Sequence, residues 1–119
     1  MDMEPMKRIH AWIFARGGSK GVPHKNLRTV SGVSLIGRAV LAAKGVPLIK
    51  RVFVSTDSLS IAEEARRYGA EIPFMRPDEL AQDISPERLS WAHAVQWERE
   101  NLGQDAMDVM VVVPVTAPL

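Results

Sequence analysis

One stretch constrains the fold of this chain more than any other: Ala15-Arg16-Gly17-Gly18-Ser19-Lys20-Gly21-Val22-Pro23-His24-Lys25-Asn26. The apolar run from Ile9 to Phe14 precedes it, and its near-continuous hydrophobicity reads as a strand covered on both faces. A run from Leu35 to Lys44 follows, with Leu35, Ile36, Ala39, Val40 and Ala43 at helical spacing. Glycines in the connecting loop admit positive φ and let a ligand approach the backbone. Successive N–H groups in such a turn form an anion-binding concavity. Arg16, Lys20 and Lys25 add fixed positive charge, and no Asp or Glu lies in the stretch. Strand, basic glycine loop and helix together describe a phosphate site. The spacing is neither G-x-G-x-x-G nor G-x-x-x-x-G-K-[ST], so neither of those nucleotide-binding motifs applies.

The remaining chain continues the alternation of strand and helix. Arg8 to Phe14 is the first predicted strand, and Ser34 is placed to cap the helix that Gly45 and Pro47 end. Between them, Asn26 to Val33 reads as a polar connection with a turn at Gly32. Arg51 to Ser55 is a second strand. Ser60 and Glu63 have capping-box spacing for a helix through Tyr68, with Gly69 as its C′ residue. Glu71 to Phe74 is a weak strand, and Arg76 to Ile84 a loop. Ser85 as N-cap and Pro86 at the first position open a helix to about Asn101. Asp108 to Val113 is the last strand. Such alternation predicts βαβ units, a mainly parallel sheet and helices on both faces. Ligands of such sheets bind beyond the carboxyl ends of the strands. Arg16, Ser55 to Asp57, Arg76 and Thr116 all follow strand ends, so they are expected on one rim.

The 119 residues make a single domain, 1–119, large enough for a core at 46% hydrophobic residues. The absence of cysteine excludes disulfides, thiolate metal sites and cysteine nucleophiles. No apolar run approaches a membrane span, and the N-terminus lacks a secretory h-region, so a cytoplasmic protein without membrane contact is expected. Net charge is +1, but residues 5–56 hold ten Lys/Arg and no acid, whereas residues 57–119 hold five Lys/Arg and twelve acids. This split points the first half toward an anion, or toward neutralisation by the second half. Nucleic acid is disfavoured, because the basic loop has no interleaved aromatics to stack bases.

The loop sequence resembles the signature of the acylneuraminate cytidylyltransferases, also called CMP-sialic acid synthetases. Val54-Ser55-Thr56-Asp57, Arg76-Pro77-Asp78-Glu79-Leu80-Ala81-Gln82-Asp83 and Thr116-Ala117-Pro118-Leu119 are similar to later blocks of that family, in the same order. The resemblance implies a Rossmann-like, three-layer α/β/α nucleotidyltransferase of the nucleotide-diphospho-sugar transferase type. It implies CTP and an acidic, sialic-acid-like nonulosonic sugar as small-molecule partners, Mg2+ as cofactor, and a homodimer or higher homo-oligomer. Arg16 and Lys25 are then the candidate catalytic residues. Ala15, Arg16, Gly17, Gly18, Ser19, Lys20, Lys25, Asn26, Arg76, Asp83 and Ser85 are the candidate nucleotide-binding residues. Arginine forks and lysine point charges suit phosphate, and transfer chemistry of this kind rests on positioning and charge stabilisation. The Asn26 amide suits a base edge or a ribose hydroxyl, and the family's match to Arg76 contacts cytosine.

No metal ligand is assigned, because the family's metal-binding aspartates lie in its later half. Asp57 reads as a cap at the start of the next helix, with a metal contact as the lesser reading. Two departures stand out. The chain has Asp83-Ile84-Ser85-Pro86 where the family often has Asp-Thr-Ala-Ser, and Pro114 stands where a sugar-holding glutamine is usual, which leaves the sugar open. His10, His24 and His93, like Trp91 and Trp97, show no catalytic or stacking pattern. Family members resemble this chain for about half their length, so it reads as an N-terminal fragment of a longer nucleotidyltransferase. The alternative is a nucleotide-binding fragment or module without turnover, which product formation separates from the enzyme. A basic loop that meets an acidic partner is a third reading, separated by nucleotide binding.

Overall fold

β1 (Ile9–Ala15) is the axis of the molecule, in a computed structural model that describes residues 7–17, 27–77 and 87–115. In chain order there follow β2 (Thr29–Val30), β3 (Val33–Ser34), α1 (Leu35–Lys44), β4 (Ile49–Thr56), α2 (Leu59–Arg67), α3 (Glu87–Leu102), a 3-10 turn (Gly103–Asp105) and β5 (Val109–Val112). The main sheet has the order β4-β1-β5, and both pairings are parallel. Its register sets Trp12 beside Phe53 on one side and Val112 on the other.

Strand side chains alternate between faces, and both faces of β1 are buried. Ala11, Ile13 and Ala15 join Val52 and Val54 of β4 beneath Ile36, Ala39 and Val40 of α1 and Ile61 and Ala65 of α2. On the opposite face Trp12 and Phe53 lie beneath Ala94 of α3, with Phe14, Phe74, Trp97 and Met110 packed around them. Trp12 stacks on Phe53 with ring centroids 4.6 Å apart, and Trp97 meets Trp12 edge-on at 71°. These are ordinary aromatic pair geometries. The result is a three-layer α/β/α arrangement with a parallel sheet, as the alternation of elements predicts. Trp97 is a packing residue.

The aromatic layer also holds a buried carboxylate. Glu98 is fully buried. It accepts from Trp12 Nε1 at 2.8 Å and from the Met107 N–H at 2.8 Å. His10 Nδ1 lies 2.9 Å from Oε1 and 3.0 Å from Oε2, so the proton sits on Nδ1. Three donors on one carboxylate satisfy a group that would otherwise be costly to bury. His10 therefore has a structural partner, in line with its unremarkable sequence context.

Local signals explain most boundaries. The Ser34 hydroxyl accepts from Gly37 N–H at 3.0 Å and starts α1. α2 begins two residues earlier than the Ser60–Glu63 spacing predicts. Ser58 is its cap, with Oγ accepting from Ile61 N–H at 3.3 Å. The chain turns sharply after β4, because the Ser58 N–H donates to Thr56 Oγ1 at 3.1 Å. Gly69 follows α2 with φ +101°, a left-handed C′ position that suits glycine. The predicted strand at Glu71 to Phe74 is reduced to isolated parallel bridges, Phe53 with Glu71 and Thr56 with Met75. Pro73 lies between them and has no N–H for a ladder. The polar segment before α1 contains a short β2–β3 hairpin, turned at Ser31 and Gly32 with φ 53° and 82°. Ser85 and Pro86, the expected start of α3, lie outside the described residues.

Candidate functional site

Three segments distant in sequence meet at the carboxyl ends of β1 and β4. Ala15, the last residue of β1, is buried with its side chain in the α1–α2 core, so any ligand contact there falls to its backbone. Arg16 and Gly17 emerge beyond it. The Gly17 N–H donates to Asp57 Oδ1 at 2.8 Å. A Cβ on Gly17 would stand 2.8 Å from Ser58 Cβ, closer than real Cβ contacts occur. Glycine is thus required here by the approach of the β4–α2 corner, rather than by the turn alone. The expectation that Asp57 caps α2 is corrected: Ser58 caps the helix, and the Asp57 carboxylate reaches across to the end of β1 instead.

Arg76 supplies the third segment. Its N–H donates to Thr56 O at 2.7 Å, which continues the pairing along β4. Its guanidinium is buried and donates from Nε to Ser55 Oγ at 3.1 Å and from Nη2 to Ser55 O at 2.7 Å. The guanidinium carbon lies 6.0 Å from the centre of the Phe14 ring. Burial pushes this guanidinium below the ordinary arginine range, while the Asp57 carboxylate pulls it back up and Arg16 presses it further down. Arg16, Asp57 and Arg76 therefore share one electrostatic neighbourhood, as the strand-end rule anticipates. That Ser55 holds Arg76 is not visible from the sequence alone. The signal for it is the polar Ser55-Thr56 pair that closes the buried apolar run Val52 to Val54.

Of the sequence-derived site residues, Ala15, Arg16, Gly17 and Arg76 stand on this rim. Gly18, Ser19, Lys20, Lys25, Asn26, Asp83 and Ser85 lie outside the described residues, as does the block from Thr116 to Leu119. Among the described residues no three His, Asp or Glu side chains gather into a metal-sized cluster. One Asp57 oxygen is already occupied by Gly17, so the described rim does not itself form a Mg2+ cage. Again among the described residues, no helix is long and apolar enough to cross a membrane.

The family profile described as cytidylyltransferase matches residues 11–89, a span that includes all three segments of the rim. The chain belongs to the cytidylyltransferase family. It is 44% identical over 78 residues to the CMP-N,N'-diacetyllegionaminic acid synthase of Campylobacter jejuni, covering 66% of this chain and 33% of that protein. It is 35% identical over 114 residues to the post-translational flagellin modification protein B of Campylobacter coli, covering 96% of this chain and 48% of that protein. Among solved structures, CMP:2-keto-3-deoxy-manno-octonic acid synthetase complexed with CTP superimposes with a TM-score of 0.66 at 22% identity. That superposition covers 90% of this chain and 39% of the other. The fold is thus the Rossmann-like nucleotidyltransferase fold, and the chain spans half or less of the length of these relatives.

Proposed function

We propose that this rim binds CTP, and that the protein transfers CMP to a sialic-acid-like nonulosonic acid with release of pyrophosphate. The observation that carries the reading is the convergence of Arg16 and Gly17 with the β4 end and Arg76 at a single rim, inside the region matched by the cytidylyltransferase profile. The CMP-sugar synthase named among the relatives supports the sugar class.

In this reading the sugar's anomeric hydroxyl attacks the α-phosphorus of CTP and pyrophosphate leaves. Arg16, Lys20 and Lys25, with the backbone of Gly17, Gly18 and Ser19, hold the phosphates and offset charge that develops on the leaving group. By the family resemblance Asn26 is assigned to the nucleoside and Arg76 to the cytosine, with Asp83 and Ser85 as further nucleotide-binding residues. A guanidinium pinned by Ser55 enters the site preorganised, which suits recognition more than mobile charge balance does. Bound with the triphosphate, Mg2+ would supply further charge neutralisation beside Arg16, Lys20 and Lys25. The protein acts as a homodimer or higher homo-oligomer in the cytoplasm, without nucleic acid or membrane as a partner.

Calorimetric titration in Mg2+ is the test. CTP is expected to bind more tightly than ATP, GTP or UTP, and pyrophosphate release is expected to depend on an added nonulosonic acid. An equal response to all four nucleotides removes the cytidine reading and leaves a general phosphate site. Tight CTP binding with no sugar-dependent release removes the transferase reading.

A further inference from the structure

We propose that Asp57 is a positioning residue for the glycine-rich loop, acting through the hydrogen-bond-accepting oxygen it offers Gly17 and not through its charge. The inference rests on the CTP reading above. Asp57 is the first acid after an acid-free stretch, residues 5–56, that carries ten Lys/Arg. A carboxylate beside a triphosphate site repels the ligand it stands next to. Its presence at this corner therefore calls for a structural reason, and the geometry supplies one. Oδ1 accepts the Gly17 N–H at 2.8 Å, so the first glycine of the loop is tied to β4 at the point where the chain leaves β1.

The corner that carries this acceptor is itself fixed. The Ser58 N–H is held by Thr56 Oγ1, Ser58 caps α2, and Ser58 Cβ closes on Gly17 so tightly that no side chain fits there. Behind it Arg76 is bonded twice to Ser55. The chain thus leaves β1 from a fixed point, and less freedom of Gly17 remains to be lost when phosphate binds. Asparagine places an acceptor oxygen in the same position without the charge. Charge and acceptor are therefore separable by substitution.

The experiment compares the parent with Asp57→Asn and Asp57→Ala by CTP titration in Mg2+ and by hydrogen exchange of the Gly17 amide. Asp57→Asn is expected to bind CTP as tightly as the parent or more so, at an unchanged Mg2+ requirement, and to keep the Gly17 amide protected. Asp57→Ala is expected to lose about tenfold in affinity and to open that amide. Asp57→Asn losing affinity like Asp57→Ala, with a raised Mg2+ requirement, overturns the proposal in favour of a metal ligand. Asp57→Ala binding CTP like the parent, at whatever melting temperature, overturns it in favour of a purely structural contact. If Asp57→Ala does not fold, Asp57→Asn decides alone, through the same affinity and the same amide. A parent that binds no CTP, but whose Gly17 amide is protected and stays so in Asp57→Asn, overturns the nucleotide reading and leaves the tether in place.

Discussion

At the scale of single residues, Glu98 has the largest consequence that its sequence context does not announce. Its neighbours on the buried stripe of α3 are Ser90 and Ala94, each four residues apart. That spacing marks one helix face, but a stripe of serine, alanine and glutamate does not look like a core face. Leu89, by contrast, is exposed. The stripe is buried because the sheet below presents donors, His10 and Trp12, that match an acceptor from above. Glu98→Ala is expected to destabilise the protein by about 3 kcal/mol or more, because it strands the Trp12 indole, the Met107 N–H and His10 in a dry layer. Urea denaturation checks this. A loss under about 1 kcal/mol would mean that water or a rearranged ring replaces the carboxylate.

At the scale of elements, the junction between β4 and the segment after α2 depends on charge as well as on backbone pairing. Glu71 N–H donates to Val52 O and Val54 N–H donates to Glu71 O, both at 2.9 Å. The side chains reinforce this, with Arg51 Nε and Nη2 reaching the two Glu71 oxygens at 2.9 and 2.6 Å. The Arg51 hydrogen bonds hold the Glu71 carboxyl below its ordinary value, against a smaller opposing effect of burial. A carboxyl depressed in the folded state stabilises the fold above its unfolded value, and that stability is lost as pH falls through the folded value. The parent is therefore expected to lose a small pH-dependent increment on acidification that Glu71→Gln lacks. The two proteins should converge in stability at low pH. Both side chains are partly exposed, so the gap near neutrality is expected to stay within about 1 kcal/mol. Chemical denaturation across the acid range measures it, and a gap that does not close in acid would assign the effect to packing instead.

At the scale of the whole molecule, the uneven charge of the two halves resolves into two uses. Some cations of the first half meet acids of the second: Arg51 meets Glu71, and Arg8 lies 3.6 Å from Asp105. Arg16 stands at the strand-end rim beside Arg76 and Asp57. If that rim takes a triphosphate, CTP binding should weaken by about tenfold between about 0.05 M and about 0.5 M monovalent salt. Arg16→Ala should bind CTP more weakly and flatten that dependence, whereas Arg99→Ala on α3 should do neither. Titration at several salt concentrations tests this, and equal slopes in the parent and Arg16→Ala would remove Arg16 from the site.

Local periodicity and backbone chemistry account for the parts of the fold that are legible in the sequence. The apolar runs specified the strands, Ser34 the start of α1 and Gly69 the end of α2. The alternation of elements specified a parallel sheet between two helical layers, and the spacing of motifs after strand ends specified one rim. The rest depends on partners far away in the chain. The Asp57 carboxylate faces Gly17 because β1 and β4 are neighbours. Arg76 is pinned because Ser55 lies under it. Glu98 is buried because Trp12 and His10 rise to meet it. A polar side chain carries no mark in its own sequence of whether it will meet water or a buried partner. That outcome is fixed when distant strands and helices pack, because only packing removes the water and sets the donor or acceptor that takes its place.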